Sequence, residues 1–286
     1  MQVAIFGAAG QLGVELVDVF TRRGHQVHSF GRADVDITDT QQIEARLASL
    51  DVDLVMNAAA YNKVDVAETE PQVAYAVNGL AVRNLAVVCR QLDAKLVHFS
   101  TDYVFDGAAG RAYREDDPVR PISAYGVSKL AGEFYAQAYC DSALVLRTSG
   151  VFGPGGVHTA GGNFIESILR LASKGTPLRI VNDHIASPTY APELARVTAD
   201  LVERDESGVF HAGGGQAISW FDYARKIFER AGLNPELKPT NEREYRTAAR
   251  RPKFSALDNA RLNRTSVLPF PSLDEQIDRY FSMRKP

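Results

Sequence analysis

Apolar runs of four or five residues recur through the first half of the chain, each followed by a longer stretch in which apolar side chains return every third or fourth place. Gln2 to Phe6, Gln26 to Phe30, Asp53 to Met56, Leu96 to Phe99 and Ala143 to Arg147 read as buried strands. Between them, Leu12, Leu16, Val19 and Phe20 line one face of a helix, and Val73, Val77, Leu80, Leu85 and Val88 line another that starts at Pro71. A further helix is expected over 125 to 139. Alternation of this kind predicts an α/β fold with a doubly wound parallel sheet. After Thr148 the texture changes: Gly150, Gly153, Pro154, Gly155, Gly156, Gly161 and Gly162 read as a domain crossing and a lid. Asn163-Phe164 then opens an amphipathic helix, and shorter strands and helices follow, with helices expected over 192 to 202 and 219 to 231. Residues 1–150 are therefore read as one domain and 151–286 as a second, smaller one.

Composition narrows the functional classes. At 286 residues with a formal net charge of -3 and a pI near 6.1, the chain offers no electrostatic case for nucleic acid or an anionic membrane. Basic clusters such as Arg243 to Arg251 stay open as local anion sites. Cys89 and Cys140 are isolated, which suits a reducing compartment and no disulfide framework. No basic leader precedes the first strand and no uncharged run approaches about 18 apolar residues, so a cytoplasmic protein is expected.

The first strand runs directly into Gly7-Ala8-Ala9-Gly10-Gln11-Leu12-Gly13 and a helix start. Glycines at Gly7, Gly10 and Gly13 let backbone N–H groups approach a pyrophosphate at a helix N-terminus, the mark of a Rossmann-like dinucleotide site, although the spacing is GxxGxxG. The second strand ends in Gly31-Arg32 where NAD sites place an acid for the ribose; a guanidinium suits a 2′-phosphate, so NADPH is preferred and NADH is the alternative. Asp36 and Ile37 follow as candidates for the adenine edge, and Asp39 as a helix cap. The small residues Ala58, Ala59 and Ala60, with Tyr61, close the third strand where a flat cofactor lies against backbone. Asn78 reads as a satisfied polar residue of the core.

Tyr125 has Lys129 at i+4, at the head of a helix, so a phenol and an ammonium share one face. A neighbouring cation favours the phenolate, which makes Tyr125 a candidate general acid. Equally, the pair suits a packed aromatic beside a solvated lysine. Ser100-Thr101-Asp102-Tyr103 ends the fourth strand at the same sheet edge as the glycine turn, where the Thr101 hydroxyl would either bind a substrate carbonyl oxygen or serve a turn.

Taken together, the glycine turn with Gln11, the run 100 to 103, Tyr125 with Lys129, and Arg251-Pro252 through Leu257-Asp258 resemble the extended short-chain dehydrogenase/reductase family from residue 1 to about 280. Asn57-Ala58-Ala59-Ala60-Tyr61, Val64-Asp65, Ala67-Glu68 and Glu70-Pro71 are similar to its branch of dTDP-linked keto-sugar reductases, which close dTDP-L-rhamnose synthesis. The resemblance implies an oxidoreductase that moves hydride from NADPH to C4 of a nucleotide-linked 4-keto-6-deoxysugar. Tyr125 would donate the proton, Lys129 would lower its pKa and hold the nicotinamide ribose, and Thr101 would bind the reacting oxygen. Asp102 would contact the sugar, Gly10, Gln11 and Leu12 the pyrophosphate, and Asn163 and Arg251 the substrate diphosphate. It also implies a segment near 183–212 that returns to the NADP-binding domain, with 151–286 supplying the substrate side.

Two further implications concern assembly and fit. Some relatives are dimers with Mg²⁺ between acids; Glu15, Glu193 and loosely Asp274 occupy comparable places, so a homodimer and Mg²⁺ enter as expectations without a metal site being assigned. Relatives commonly carry an aromatic after Arg-Thr-Ser, whereas Gly150 follows Arg147-Thr148-Ser149 here. That leaves the sugar's identity open. A dehydratase would need Asp-Glu where Asp102-Tyr103 stands. A nucleotide-sugar epimerase, another keto-sugar reductase and a non-catalytic NADP-binding regulatory subunit remain the competing readings.

Overall fold

The structure is a computed structural model that describes residues 1–158 and 162–284. Gly161 of the expected lid lies outside the described residues. The alternation of apolar runs and helical stretches builds strands β1 (Gln2–Phe6), β2 (Gln26–Phe30), β3 (Leu54–Asn57), β4 (Lys95–Thr101) and β5 (Leu144–Thr148). Helices α1 (Gly13–Arg22), α2 (Thr40–Leu47), α3 (Pro71–Tyr75), α4 (Ala81–Gln91) and α5 (Ala124–Tyr139) connect them. Further along come β6 (Val151–Phe152), α6 (Phe164–Ala172), β7 (Leu178–Val181), β8 (Ile185–Ala186), β9 (Thr189–Tyr190) and α7 (Ala191–Glu203). The chain continues through β10 (Gly208–His211), β11 (Ile218–Ser219), α8 (Trp220–Ala231), β12 (Leu237–Thr240) and α9 (Leu273–Met283).

Six strands form one parallel sheet in the order β10-β5-β4-β3-β1-β2. Because side chains alternate along a strand, Val3 and Ile5 enter one core with Leu54, Met56, Leu144 and Leu146, while Ala4 and Phe6 enter the opposite core with Val55 and Val145. Leu16 and Phe20 of α1 and Leu194 and Val197 of α7 cover the first face; Ile43, Val82 and Leu85 cover the second. Helices on both faces make the sheet doubly wound, as the alternation predicts. β10 pairs with β5 although some sixty residues separate them in the chain. A third core gathers Phe152, Ile165, Tyr190, Tyr223, Ile227, Leu273, Ile277 and Tyr280.

Two features depart from the sequence reading. The helix expected from Pro71 is continuous to Gln91 but passes through a π-helical turn at Ala76–Leu80. With 21 residues it is long and apolar enough to span a membrane by length and composition, yet its inner face is packed on α5 and the sheet, as a core helix is. The buried pair Glu133–Arg147 is the other: Arg147 Nη2 lies 2.8 Å from Glu133 Oε2, and the Ser100 hydroxyl donates to the same carboxylate. These groups fasten α5 to β4 and β5 from inside.

Candidate active site

Register brings the candidate residues together. Phe6 pairs with Asn57, Asn57 with His98, and Thr101 with Thr148, so β1, β3, β4 and β5 all end on one edge of the sheet. The glycine turn leaves β1 there. Gly7 has φ +78°, a conformation that favours glycine, and a Cβ on it would lie 2.5 Å from the Ala59 nitrogen. On Gly13 a Cβ would lie 2.2 Å from the Gly7 carbonyl oxygen, so the turn is closed against α1 and against the end of β3. Gly10 N–H donates to the Gly7 carbonyl at 2.9 Å. Among the described residues no acceptor takes the amides of Gln11 or Leu12, which lie at the N-terminus of α1. Unpaired amides at a helix N-terminus fit a pyrophosphate.

Around this turn the other cofactor candidates sort themselves. Asn57 Oδ1 accepts from Ala59 N–H at 3.2 Å and shapes the Ala58–Tyr61 segment. Asn78, buried at the π-helical turn, accepts from Tyr61 N–H at 2.8 Å and donates to the Tyr61 carbonyl and the Ser128 hydroxyl. It is thus a satisfied polar core residue that also holds the Ala58–Tyr61 segment through the Tyr61 backbone, a role its sequence context did not reveal. Arg32 is exposed beyond β2 with no hydrogen-bond partner among the described residues. Asp36 accepts from both the N–H and the hydroxyl of Thr38, bonds that hold its carboxyl below the usual range, with the Arg32 charge adding a smaller effect. Ile37 is buried in the second core, and Asp39 caps α2 through Gln41 and Gln42 N–H.

Ser123 starts α5 as an N-cap that accepts from Gly126 N–H at 3.2 Å. Gly126 lets the helix press on the strand end: a Cβ there would lie 2.4 Å from the Tyr103 carbonyl oxygen. That approach brings the Tyr125 phenol beside the Thr101 hydroxyl, which itself donates to Asp102. Burial pushes the phenol up to about 12, opposed by the Thr101 hydroxyl and reinforced by the Asp102 charge. Tyr125 therefore keeps its proton at neutral pH. Lys129 is 3% exposed and donates to the Phe99 carbonyl at 2.5 Å; burial pushes its ammonium down to about 8 against the attraction of Glu133. Lys129 is no solvated surface charge. Tyr103 lies edge-on to Tyr125, ring centroids 5.9 Å apart.

Residues expected on the substrate side are arranged differently. Asp102 is 3% exposed, and its carboxylate accepts from Ser255 at 2.5 Å, Ser149 at 2.9 Å and Thr101 at 3.2 Å. Burial raises it to about 6, with those three hydroxyls opposing the shift. It ties the ends of β4 and β5 to the C-terminal segment, with Oδ2 accepting twice and Oδ1 once. Asn163 caps α6 with its oxygen and gives its amide N–H groups to Gln11 Oε1 at 3.1 Å and the Gly153 carbonyl at 3.2 Å. Gln11 in turn donates to the Val151 carbonyl at 2.8 Å. Arg251 grips Asp65 with both terminal nitrogens, at 3.0 and 2.8 Å, and is hydrogen-bonded to Tyr103. Both amide N–H groups of Asn163 are thus taken, and Arg251 is anchored by Asp65 while its Nε–H has no hydrogen bond among the described residues.

Gly150 has φ +51°, and a Cβ on it would lie 3.2 Å from the edge of Trp220, the chain's single tryptophan. Trp220 packs at a tilt against Phe164 with centroids 4.7 Å apart, so aromatic surface stands beside Gly150 even though that residue has none. The expected magnesium finds no support. Glu193 is held by Arg196 at 2.7 Å and by Arg279, and Asp274 by Lys226 at 2.9 Å and Arg230. Burial raises the Glu15 carboxyl, and no cluster of three or more His, Cys, Asp or Glu suited to a metal occurs among the described residues.

Comparison with known proteins bears on the same surfaces. The family model described as the RmlD substrate binding domain matches residues 1–285. The spore coat polysaccharide biosynthesis protein SpsK of Bacillus subtilis is 34% identical over 268 residues, 94% of this chain and 93% of its own. The dTDP-4-dehydrorhamnose reductase of Escherichia coli is 33% identical over 98% of this chain and 96% of its own. The crystal structure of dTDP-4-dehydrorhamnose reductase from Bacillus anthracis in complex with NADP superposes with a TM-score of 0.93 at 34% identity, covering 99% of both chains. The chain belongs to the RmlD substrate-binding domain family, within the extended short-chain dehydrogenases/reductases that the sequence resembles.

Proposed function

We propose that this member of the RmlD substrate-binding domain family is an NADPH-dependent nucleotide-sugar reductase that converts dTDP-4-dehydro-L-rhamnose to dTDP-L-rhamnose. The coarser statement, a nucleotide-sugar reductase, rests on full-length similarity to reductases of that name and to one with NADP bound. One observation supports the chemistry: Tyr125 lies beside Thr101 at the end of β4, and Lys129 is buried one helical turn along α5 with its ammonium on the Phe99 carbonyl.

The residues fit a dinucleotide by the two unpaired amides of Gln11 and Leu12, the glycines that admit no Cβ, and the Ala58–Tyr61 edge. Bound there, NADPH supplies the hydride. Arg32, exposed and unpartnered, is the reader of a 2′-phosphate, with Asp36 and Ile37 along the adenine side. Thr101 donates to the C4 carbonyl oxygen and polarises it. As hydride reaches C4 the carbonyl π bond breaks, its electrons move to oxygen, and Tyr125 gives its hydroxyl proton to that oxygen. A phenol held near 12 is a weak acid, but the alkoxide forming at C4 is a far stronger base, so transfer is downhill. Lys129, one helical turn along α5, offsets the phenolate charge left behind. We further propose that residues 1–150, with the segment near 183–212, form the NADP-binding unit and that the remainder receives the sugar nucleotide, in the cytoplasm.

The test is NADPH oxidation, followed at the nicotinamide absorbance, on adding freshly prepared dTDP-4-keto-6-deoxy-L-lyxo-hexose, with the product resolved by NMR. Oxidation yielding dTDP-L-rhamnose is expected. A different C4 epimer would overturn the product assignment, and absence of oxidation by protein that still binds NADPH would favour a regulatory subunit.

A further inference from the structure

Buried in α5, the Lys129 ammonium donates to the Phe99 carbonyl at 2.5 Å, and among the described residues no carboxylate forms a direct ion pair with it. A lone ammonium in such a place gives up its hydration for little in return, and its easiest escape is to shed the proton. That loss would leave nothing to offset a phenolate at Tyr125. The groups around Lys129 are few. On α5 they are Tyr125 one turn before and Glu133 one turn after; on β4 there is His98, whose imidazole is held neutral by burial first and by the Lys129 charge second. Outside α5, Asn78 offers an uncharged amide to Ser128, Tyr75 is bonded to Tyr135, and Arg83 and Arg90 lie over the Tyr139 ring at the far end. Glu68 takes the Ala124 N–H at the near end, Asp102 bears on Tyr125, and Arg147 of β5 is bonded to Glu133. Among the described residues Glu133 is therefore the negative charge that acts on the ammonium, and it favours the charged form against the effect of burial.

Glu133 is itself fully buried and firmly held. Its Oε1 accepts from the Ser100 hydroxyl at 2.5 Å and from Arg147 Nε at 3.0 Å, and its Oε2 accepts from Arg147 Nη2 at 2.8 Å. For fastening alone such a clamp is a poor choice, since apolar side chains of similar volume fill a core as well or better without desolvating two charges. It does something that apolar groups cannot do. A fixed negative charge stands one turn from Lys129, close enough to attract the ammonium and too tightly held to pair with it. A Glu133 free to swing would draw the ammonium off the Phe99 carbonyl and away from Tyr125.

We propose that Glu133 is a positioning residue for Lys129: clamped by Arg147 and Ser100, it keeps the buried ammonium charged and seated on the Phe99 carbonyl while Tyr125 gives up its proton. Tyr125, Lys129 and Glu133 follow one another at four-residue intervals, so the three groups share one face of α5 and act in line. The inference rests on the reductase reading for what Lys129 does in turnover, whereas the hold of Glu133 on Lys129 belongs to the chain without cofactor or substrate.

The experiment follows the Cε resonance of Lys129 by NMR in the full chain, labelled in lysine and free of cofactor, with the signal identified by its loss in Lys129→Met. The parent should titrate at about 8. Glu133→Gln, and Glu133→Leu combined with Arg147→Met, should titrate lower by about one pH unit, roughly tenfold in proton affinity. Ser100→Ala takes a donor from Glu133 and leaves its charge less compensated, so it should titrate slightly higher. The double variant leaves neither charge of the pair stranded, so it keeps the readout even where Glu133→Gln alone does not fold. In NADPH oxidation with the keto-sugar, kcat of the double variant should fall about one pH unit earlier on the alkaline side and recover most of its loss near pH 6, where the ammonium is charged in every variant. A loss of packing alone would lower kcat equally at every pH. An unchanged Lys129 titration in the folded double variant would overturn the proposal. So would a moved titration with an unchanged pH profile of kcat, because Glu133 would then act on Lys129 without serving the reaction. A parent that reduces no keto-sugar while the titration still moves with Glu133 sinks the reductase reading and leaves the hold of Glu133 on Lys129 standing.

Discussion

A proton donor is useful only if it holds its proton until the reaction asks for it, and Tyr125 meets that condition through burial beside Thr101. Replacing it with phenylalanine removes the proton and little else. Tyr125→Phe should lose at least about a hundredfold in turnover while NADPH binding, measured by nicotinamide fluorescence, stays within about twofold. Arg32 is exposed and unpartnered, so its removal should act on cofactor choice: Arg32→Ala should weaken NADPH more than NADH, and equal losses would remove it as phosphate reader. Asp102 offers a pH test. Its carboxyl titrates near 6 in the fold against an ordinary value of 3.8, so between those two pH values the folded state binds more protons than the unfolded chain. Stability must then fall as pH rises through that window, by about 3 kcal/mol in all, and level off above it. Melting curves should show the parent losing ground to Asp102→Asn from about pH 4 to pH 6 and keeping a constant offset beyond.

Elements rather than residues decide where those groups meet. The glycine turn between β1 and α1 has no room for a side chain on its inner side, since a Cβ on Gly13 would meet the Gly7 carbonyl oxygen at 2.2 Å. Both partners are backbone, so the strain cannot be relieved by a rotamer change. Gly13→Ala should lower stability by about 1–3 kcal/mol and weaken NADPH binding with it, seen as a lower melting temperature that excess cofactor only partly restores. α5 is set by its Ser123 cap and by Gly126 and Gly132, where added Cβ atoms would lie 2.4 Å from the Tyr103 carbonyl and 2.3 Å from that of Asn78. Strand-period and helix-period patterns made β1, α1, β4 and α5 legible in the sequence, because each is a local repeat of apolar positions. The π-helical turn at Ala76–Leu80 was not legible. It answers to Asn78 bonding Tyr61 and Ser128, partners fixed only once α5 lies against it.

At the scale of the molecule, the interior is joined by groups far apart in the chain. Glu133 of α5, Arg147 of β5, Ser100 of β4 and His211 of β10 form one buried network, in which burial, with the Arg147 charge adding to it, pushes His211 down to about 3. Breaking one member strands a charge: Arg147→Met should cost about 3–5 kcal/mol by denaturant unfolding, and Glu133→Leu with Arg147→Met should cost less than that single change. Gln11 and Asn163 work similarly, joining the glycine turn to α6. Asp65 and Arg251 join the β3 edge to the basic segment near the C-terminus.

What the sequence determined by itself is whatever a window of ten or twenty residues contains. The order of strands and helices, the glycine turn, and Tyr125 one helical turn from Lys129 all belong there, because period and spacing are local properties. It did not determine which charged or polar side chains stay free. Arg251, Asn163 and Asp102 each look available in sequence, and each is taken up by a partner at least 47 residues away, Asp65, Gln11 or Ser149 and Ser255. The basic stretch from Arg243 is legible in the sequence, but that the guanidinium groups of Arg243, Arg246 and Arg250 have no hydrogen bond or ion pair among the described residues is not. Only tertiary structure settles that difference, since a buried hydrogen bond depends on which distant groups the packed core brings within 3 Å, and burial then makes leaving any of them unmade costly.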